Sequence, residues 1–242
     1  MRMRLWSRLP TWMNTEKVLA FRIFSSEDPN KDYSNLDNFH IDTAVFFSGD
    51  CFFVFSDVLN RPVKHKRYES EILPLSQLDE WLKELPEDTT LMGYNSTKLD
   101  YQLLAKAFNI NFKTIDLMDA VGLTGSEAFA ISKRRYPMRE VVRWNGIRQT
   151  WLPHFSWIFN SVELFEEWFN QRFRSVAKSL CAECEMVATL GHKLRRKKRV
   201  KLIDPDTGRT VLLPIDIYDH ILPQAWIENP ELFDKNEQSE VE

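Results

Sequence analysis

Apolar residues in the first half of the chain fall into short runs and alternating patterns that are typical of β-strands. The predicted strands are Lys17–Phe24, Ile41–Phe47, Phe52–Phe55, Thr90–Met92 and Phe112–Leu117. Alternation within the first strand puts Arg22 and Phe24 on the same face as Val18 and Ala20. Ser48-Gly49-Asp50 separates the second strand from the third and indicates a hairpin.

Apolar residues spaced three and four apart predict helices between and after these strands. The predicted helices are Leu75–Leu85, a helix from Ser96 or Thr97 to Phe108, Met138–Trp144 and a long helix from about Val162 to Leu190. Ser76 is predicted to cap the first helix, Ser96 or Thr97 the second, and Asn145-Gly146 to end the third. Two further segments flank a turn sequence and predict a C-terminal β-hairpin: Arg199–Ile203 and Thr210–Leu213.

The order of these elements predicts an α/β fold. Three strands come first and later strands alternate with helices, so hairpins and crossovers should build one mixed sheet flanked by helices. A length of 242 residues fits one large domain or two small ones. We divide the chain into a basic N-terminal arm at 1–15, one domain at 16–227 and an acidic, disordered tail at 228–242.

Charge is distributed unevenly, although the net charge is only −3. Residues 133–209 carry 17 Lys and Arg against 8 Asp and Glu, a balance of +9, and the rest of the chain carries −12. The densest basic run contains Arg195, Arg196, Lys197, Lys198, Arg199 and Lys201. Segregation of this size indicates a region that faces a polyanion. A solvated face or a localisation signal is the alternative interpretation of the run.

The cysteine count and the hydropathy pattern argue against a disulfide-rich secreted protein and against a membrane-spanning protein. Three cysteines are too few for a disulfide framework, no signal peptide is visible, and no apolar run reaches the roughly 18 residues of a membrane span. We therefore expect a cytoplasmic protein without a membrane partner. Cys181-x-x-Cys184 with His192 suggests zinc, but a structural zinc site needs four ligands and both cysteines lie on an apolar helical stripe. Buried structural cysteines are favoured.

One segment resembles a known motif. Leu91-Met92-Gly93-Tyr94-Asn95-Ser96-Thr97-Lys98-Leu99-Asp100 follows a strand and opens a helix. It resembles the second motif of the DnaQ-like (DEDD) 3′–5′ exonucleases, which have an aromatic or apolar residue and then Asp at the fourth and fifth positions after Asn. Further segments resemble other parts of that family in the same order: 18–24, 115–118, 136–150 and 179–185. The resemblance covers roughly residues 16–216 and implies an RNase-H-like fold.

Departures from the family pattern fall on its catalytic residues. The family holds two Mg²⁺ ions with four carboxylates, and Asp100 is the one carboxylate with a counterpart here. Arg22 and Phe24 stand at the Asp and Glu of the first motif, and Leu180 and Cys184 at the Tyr and Asp of the third. One carboxylate beside a guanidinium cannot assemble a two-metal centre. The resemblance therefore implies a degenerate member, with no metal and no cofactor.

The exchange at the first motif leads to a specific hypothesis. Arg22 is the introduced base and Asp100 the retained acid, and both should face the old site, so we expect an ion pair between them. Two alternatives stay open: Arg22 reads a phosphate in the groove, for which guanidinium geometry is suited, or it extends to solvent.

We therefore predict a catalytically inactive exonuclease-like protein that acts as a nucleic-acid-binding or structural subunit of a larger nucleoprotein complex. Arginines between 133 and 148 are expected to add phosphate contacts to a predicted set: Arg22, Tyr94, Asn95, Arg195, Arg196, Lys197, Lys198, Arg199 and Lys201. DNA and RNA remain equal candidates. The third motif resembles a bacterial branch of the family, which implies a bacterial or phage source.

Two other functions remain open at this stage. The first is a protein-interaction scaffold without nucleic-acid binding, docked through the aromatic cluster Trp144, Trp151, His154, Phe155 and Trp157. The second is an active, metal-dependent 3′–5′ exonuclease in which other acids rebuild a Mg²⁺ or Mn²⁺ site. The acids available for such a rearrangement are Glu27, Asp28, Glu183 and Glu185.

Overall fold

The computed structural model describes residues 9–27, 36–64, 67–97, 99–130, 135–147, 160–204 and 206–222 and shows a mixed sheet with helices on both faces. Its strands are β1 (Val18–Phe24), β2 (Thr43–Phe47), β3 (Cys51–Phe55), β4 (Glu69–Leu73), β5 (Thr90–Gly93), β6 (Lys113–Asp116), β7 (Arg199–Ile203), β8 (Thr210–Pro214) and β9 (Ile221–Leu222). Seven of them form one sheet in the order β4-β3-β2-β1-β5-β6-β9, and β7 and β8 form a separate antiparallel hairpin. The predicted mixed sheet and C-terminal hairpin are confirmed, and this architecture is compatible with the RNase-H-like fold.

The sheet combines an antiparallel meander with parallel crossovers. β2 pairs antiparallel with β1 and β3, whereas β1 with β5, β5 with β6, and β3 with β4 pair in parallel. The central aromatic strands carry fully buried phenylalanines on both faces, including Phe46, Phe47, Phe52 and Phe55. A strand buried on both faces needs apolar residues at every position, which explains why β2 does not alternate.

Helices cover the two faces unequally. They are α1 (Leu9–Thr15), α2 (Leu78–Glu84), α3 (Asp100–Phe108), α4 (Leu117–Phe129), α5 (Met138–Trp144), α6 (Ser161–Phe169) and α7 (Phe173–Lys197). Alternation along β1 divides the core, because Val18, Ala20 and Phe24 pack on the face covered by α7. Phe21 and Ile23 point the other way, into a smaller core with α2 and α3.

The prediction of one continuous helix from about Val162 to Leu190 is wrong. The structure has two helices, because the chain turns at Asn170–Arg172 and Gln171 adopts a left-handed φ of 57°. Both helices bury apolar residues in the same layer, so the hydrophobic period runs across the turn without a visible break. α7 then continues to Lys197, two turns beyond the predicted end.

The predicted N-terminal caps at Ser76 and at Ser96 or Thr97 are also wrong. The Asp116 carboxylate explains the second case. α2 begins through a 3₁₀ turn at Leu75–Gln77 and receives no side-chain cap from Ser76. α3 begins at Asp100, also without a side-chain cap. The backbone N–H groups of Asn95, Ser96 and Thr97 instead donate to Asp116. Asp116 also accepts from Met118 and caps α4, so it ties the motif segment to the end of β6.

The structure contains elements that the sequence patterns did not predict, among them β4, α4 and α1. α1 lies within the predicted N-terminal arm, and its Trp12 and Met13 side chains are buried in the core. The acidic tail at 228–242 lies outside the described residues. No helix in the described ranges has both the length and the apolar character needed to cross a membrane.

Candidate functional site

Three elements bring charged side chains together near the carboxyl end of β1. β1 contributes Arg22, the start of α3 contributes Asp100, and the middle of α7 contributes Glu183. Arg22 Nη1 lies 2.5 Å from Asp100 Oδ2, and Arg22 Nε lies 2.8 Å from Glu183 Oε2. The second Asp100 oxygen, Oδ1, accepts the backbone N–H of Ile23 at 2.8 Å. We call these three residues the Arg22 triad.

The predicted ion pair between Arg22 and Asp100 is therefore present, and it is largely buried. The exposed fraction is 24% for the Arg22 side chain, 2% for Asp100 and 9% for Glu183. The Arg22 side chain is turned toward two buried carboxylates, which disfavours the alternative in which it simply extends to solvent. Two carboxylates already neutralise its charge, which also argues against a role for Arg22 in contacting phosphate.

Glu183 was considered only as an acid for a rebuilt metal site, and its contact with Arg22 was not predicted from the sequence. It stands about 100° around the helix from Cys184, which put it off the face expected to line the site. α7 is however buried around most of its circumference between residues 176 and 194, so neighbours of the apolar stripe face protein as well. An ionisable residue in such a helix needs a partner, and the position of Arg22 on the face of β1 that meets this helix was the available indication of one.

The triad has one positive and two negative groups in a desolvated space. Burial raises the pKa values of Asp100 and Glu183, and the charge of Arg22 opposes that rise. For Arg22 burial acts to lower the pKa, but the two carboxylates outweigh it and raise the pKa. Arg22 thus stays charged, and the excess negative charge is relieved most easily by a proton on one carboxyl group.

This arrangement predicts a specific pH dependence of stability. The raised pKa values mean that the folded state holds a carboxyl proton more tightly than the unfolded state, whose carboxyl pKa is about 4. Stability from this source is present below about pH 4 and is lost as the pH rises toward the raised pKa. In Glu183→Gln, which cannot ionise there, this loss should shrink. We expect the stability difference between the variant and wild type to move in favour of the variant as the pH rises above about 4, measured by urea denaturation; parallel curves would contradict this.

The residues around the triad do not fit a two-metal centre. The Arg22 guanidinium forms ion pairs with Asp100 and Glu183, the two carboxylates that a metal cation would need as ligands. Phe24 packs its ring 5.2 Å from that of Trp168, and Leu180 is fully buried. Cys184 donates from Sγ to the Val45 carbonyl, and burial raises the pKa of its thiol. Across the described ranges, no group of three or more His, Cys, Asp or Glu side chains is arranged to hold a metal ion.

The other acids considered for a rebuilt site have separate surroundings. Glu27 Oε1 lies 3.3 Å from His40 Nδ1, and Asp28 lies outside the described residues. Glu185 is buried, and its charge acts on Tyr68 and Cys181 rather than on Arg22. Of the three acids within the described residues, Glu183 is the one that joins Asp100, and it does so through Arg22.

The motif residues Tyr94 and Asn95 have different environments. Tyr94 is 8% exposed and donates its hydroxyl to the Tyr136 carbonyl, so its ring packs in the core. This burial argues against the base-stacking role suggested for Tyr94. Asn95 is exposed, with a left-handed φ of 58°. Its side chain remains a candidate for contact with a ligand.

The basic run divides into paired and unpaired cations. Arg195 forms an ion pair with Glu16, and Lys198 Nζ lies 2.8 Å from Asp216 Oδ2. The remaining four cations are exposed and make no ion pair with any residue in the described part of the chain: Arg196, Lys197, Arg199 and Lys201. We call these four the free basic cluster.

α5 and Lys193 connect the free basic cluster to the fold. Asn145 Nδ2 donates to the Lys201 carbonyl, and Asn145 Oδ1 accepts the Lys201 N–H. Lys193 donates to the Asn145 carbonyl. Burial lowers the pKa of Lys193, and the charges of Lys201, Arg196 and Lys197 lower it further, which indicates that these cations lie close together. Exposed Arg139 and Arg143 lie on the helix tied to them.

The zinc interpretation gains no support from the geometry. Cys181 and Cys184 are fully buried, and burial raises the pKa values of both thiols. Cys51 lies on β3 and is half-buried. The cysteines therefore fit the predicted structural role.

Comparisons with known proteins place few constraints on this chain. No protein-family model matches it, and no curated protein matches it. Among solved structures, the family B DNA polymerase from the hyperthermophilic archaeon Pyrobaculum calidifontis is similar, with a TM-score of 0.47 and 16% sequence identity. The similarity covers 73% of this chain and 24% of the polymerase chain, so this chain spans about a quarter of the polymerase's length. A likeness this weak does not assign a family.

Proposed function

We propose that this chain is a nucleic-acid-binding protein that keeps the outline of an exonuclease-type domain and has replaced its metal ions by an arginine. The observation that carries this proposal is the Arg22 triad, in which one guanidinium contacts the retained carboxylate and a second, buried one. In this role the protein acts as a non-catalytic subunit of a larger nucleoprotein complex.

The triad supports the loss of nuclease chemistry on electrostatic grounds. A divalent cation that bound Asp100 and Glu183 would have to displace Arg22 or lie beside its positive charge in a desolvated space. Either route is costly, because the guanidinium stays charged at every accessible pH. The positions at Phe24, Leu180 and Cys184 supply no compensating oxygen ligands.

Nucleic-acid binding is supported by the free basic cluster. Four exposed cations that have no acidic partner in the described part of the chain repel one another, and a polyanion relieves this repulsion on binding. The cluster lies at the end of α7 and on β7, on elements held by backbone hydrogen bonds, so its charges are displayed from a rigid surface. Contacts to phosphates position a nucleic acid without reading its sequence.

Binding should be sensitive to salt and should not require a divalent metal. We expect single-stranded DNA or RNA to bind in EDTA at least as tightly as in Mg²⁺, which competes for the phosphates, as measured by fluorescence anisotropy with labelled oligonucleotides. The affinity should fall log-linearly with salt, with a slope of about −3 for four phosphate contacts on a single strand. Binding that requires Mg²⁺, or no binding at low salt, would contradict the proposal.

A protein-interaction scaffold is the second candidate, and an exposed apolar face on α6 favours it. Phe169 is 64% exposed and Val162 is 50% exposed. The Phe165 and Phe169 rings lie 4.4 Å apart on the same helix. Most residues of the aromatic cluster, including Trp151 and Trp157, lie outside the described ranges. Failure to bind any oligonucleotide at low salt would favour this scaffold function.

A further inference from the structure

A second basic site lies near the start of α7, far from the free basic cluster. A cavity of about 400 Å³ is lined by Arg61, Pro62, Lys64 and Arg174. The first three belong to the segment after β3, and Arg174 is in the first turn of α7. Arg174 Nη2 donates to the Pro62 carbonyl at 3.4 Å, which fixes the two walls against each other. Arg174 and Arg196 are about 33 Å apart along a straight helix, so the two basic sites are distinct.

The charge of this cavity is uncompensated. Arg61, Lys64 and Arg174 are exposed. Among the described residues, no acidic side chain lines the cavity and none forms an ion pair with any of the three. The neighbouring cation differs, because Arg172, two residues before Arg174, lies 2.8 Å from Glu167. Three like charges around one cavity repel one another and disfavour the folded state unless an anion joins them.

The chemistry of the lining selects the class of anion. Guanidinium groups bind phosphate oxygens with two parallel N–H donors, and a lysine adds a mobile point charge. The start of α7 has no side-chain cap, so its positive dipole end adds to the same field. Three cations at one cavity match a group with two or more negative charges better than a single phosphodiester, which carries one.

We propose that this cavity binds a phosphate monoester or a pyrophosphate group. Such a group is carried by the terminal phosphate of an oligonucleotide or by a free nucleoside diphosphate. The idea that an oligonucleotide carries the group rests on the proposed function. The idea that the cavity binds a phosphate monoester or pyrophosphate does not. If the ligand is an oligonucleotide end, the cavity and the free basic cluster contact different parts of one strand.

Isothermal titration calorimetry with inorganic pyrophosphate tests the site. We expect one pyrophosphate per protein at low ionic strength, with affinity weakened at least tenfold in Arg174→Gln and in Lys64→Gln. Arg172→Gln removes the same charge from the neighbouring, paired position and should bind like wild type. Equal weakening in all three variants would reduce the effect to general electrostatics and overturn the proposal. Absence of pyrophosphate binding to the wild type would also overturn it.

The source of the group is resolved by comparing ligands on the same variants. A 5′-phosphorylated oligonucleotide that binds more tightly than its 5′-hydroxyl form, with the difference lost in Arg174→Gln, identifies an oligonucleotide end. ADP binding at the affinity of pyrophosphate, with no gain from oligonucleotide phosphorylation, identifies a free nucleotide. Pyrophosphate binding without any oligonucleotide binding would contradict the proposed function and leave this site supported. Salt-dependent oligonucleotide binding that is unchanged in Arg174→Gln, without pyrophosphate binding, would support the proposed function and overturn the proposal for this cavity.

Discussion

Replacing Arg22 by methionine is expected to lower the free energy of unfolding by about 3–5 kcal/mol. Methionine preserves the length of the aliphatic stem but removes the charge that compensates Asp100 and Glu183. Both carboxylates are then buried without a cationic partner, and each must be protonated or hydrated in the folded state. Urea denaturation at neutral pH, fitted with a common m-value, measures the change.

A matched substitution separates this effect from the general cost of losing an arginine. Arg172→Met removes the same side chain from an exposed ion pair with Glu167, which should cost no more than about 1 kcal/mol. Combining Arg22→Met with Asp100→Asn and Glu183→Gln removes the uncompensated charges and should recover much of the lost stability. Equal costs for Arg22→Met and Arg172→Met, or no recovery in the triple variant, would contradict the account of the triad.

Reversing the four charges of the free basic cluster to glutamate should weaken single-stranded nucleic-acid binding by at least about a hundredfold at low salt. Phosphate contacts are lost, and repulsion of the backbone replaces them. The slope of log affinity against log salt should approach zero, since about 0.7 is lost per contact. The cations are exposed and make no ion pair with the residues that the structure describes, so circular dichroism and the urea midpoint should change little.

Net charge alone also weakens binding to a polyanion, and a matched pair of double variants controls for it. Arg196→Glu with Lys201→Glu changes the net charge as much as Lys83→Glu with Lys106→Glu. The latter two lysines lie on α2 and α3, over the opposite face of the sheet, in exposed ion pairs. The first pair should weaken binding at least tenfold more than the second. Similar losses in both would remove the cluster from the binding surface.

The fold was largely predictable because burial of one face of a strand or helix leaves a regular spacing of apolar residues in the sequence. Alternation placed Arg22 on the face of β1 that meets α7, and the motif segment placed Asp100 at the start of a helix after β5. Those two placements were sufficient to predict their ion pair. The hairpin of β7 and β8 followed from the turn sequence between them, where Gly208 has a φ of 66°.

Features that depend on contacts between distant segments were not predictable in the same way. The turn at Gln171 leaves the apolar period intact, so one helix was expected where α6 and α7 occur. Ser96 and Thr97 have the composition of helix caps, but their N–H groups are bound by Asp116 from another strand. Tyr94 resembles a surface aromatic in sequence, yet Tyr136 supplies a buried acceptor for its hydroxyl.

The central claim is that Arg22 takes the place of the catalytic metals, and a cleavage assay tests it most directly. Pure protein is incubated with end-labelled single-stranded and 3′-recessed DNA and RNA, in Mg²⁺ and then in Mn²⁺, with Asp100→Asn as the contamination control. We predict no cleavage by the wild type above that of the Asp100→Asn control in either metal. Metal-dependent cleavage by the wild type that disappears in Asp100→Asn would contradict the claim and show that a metal site forms despite Arg22.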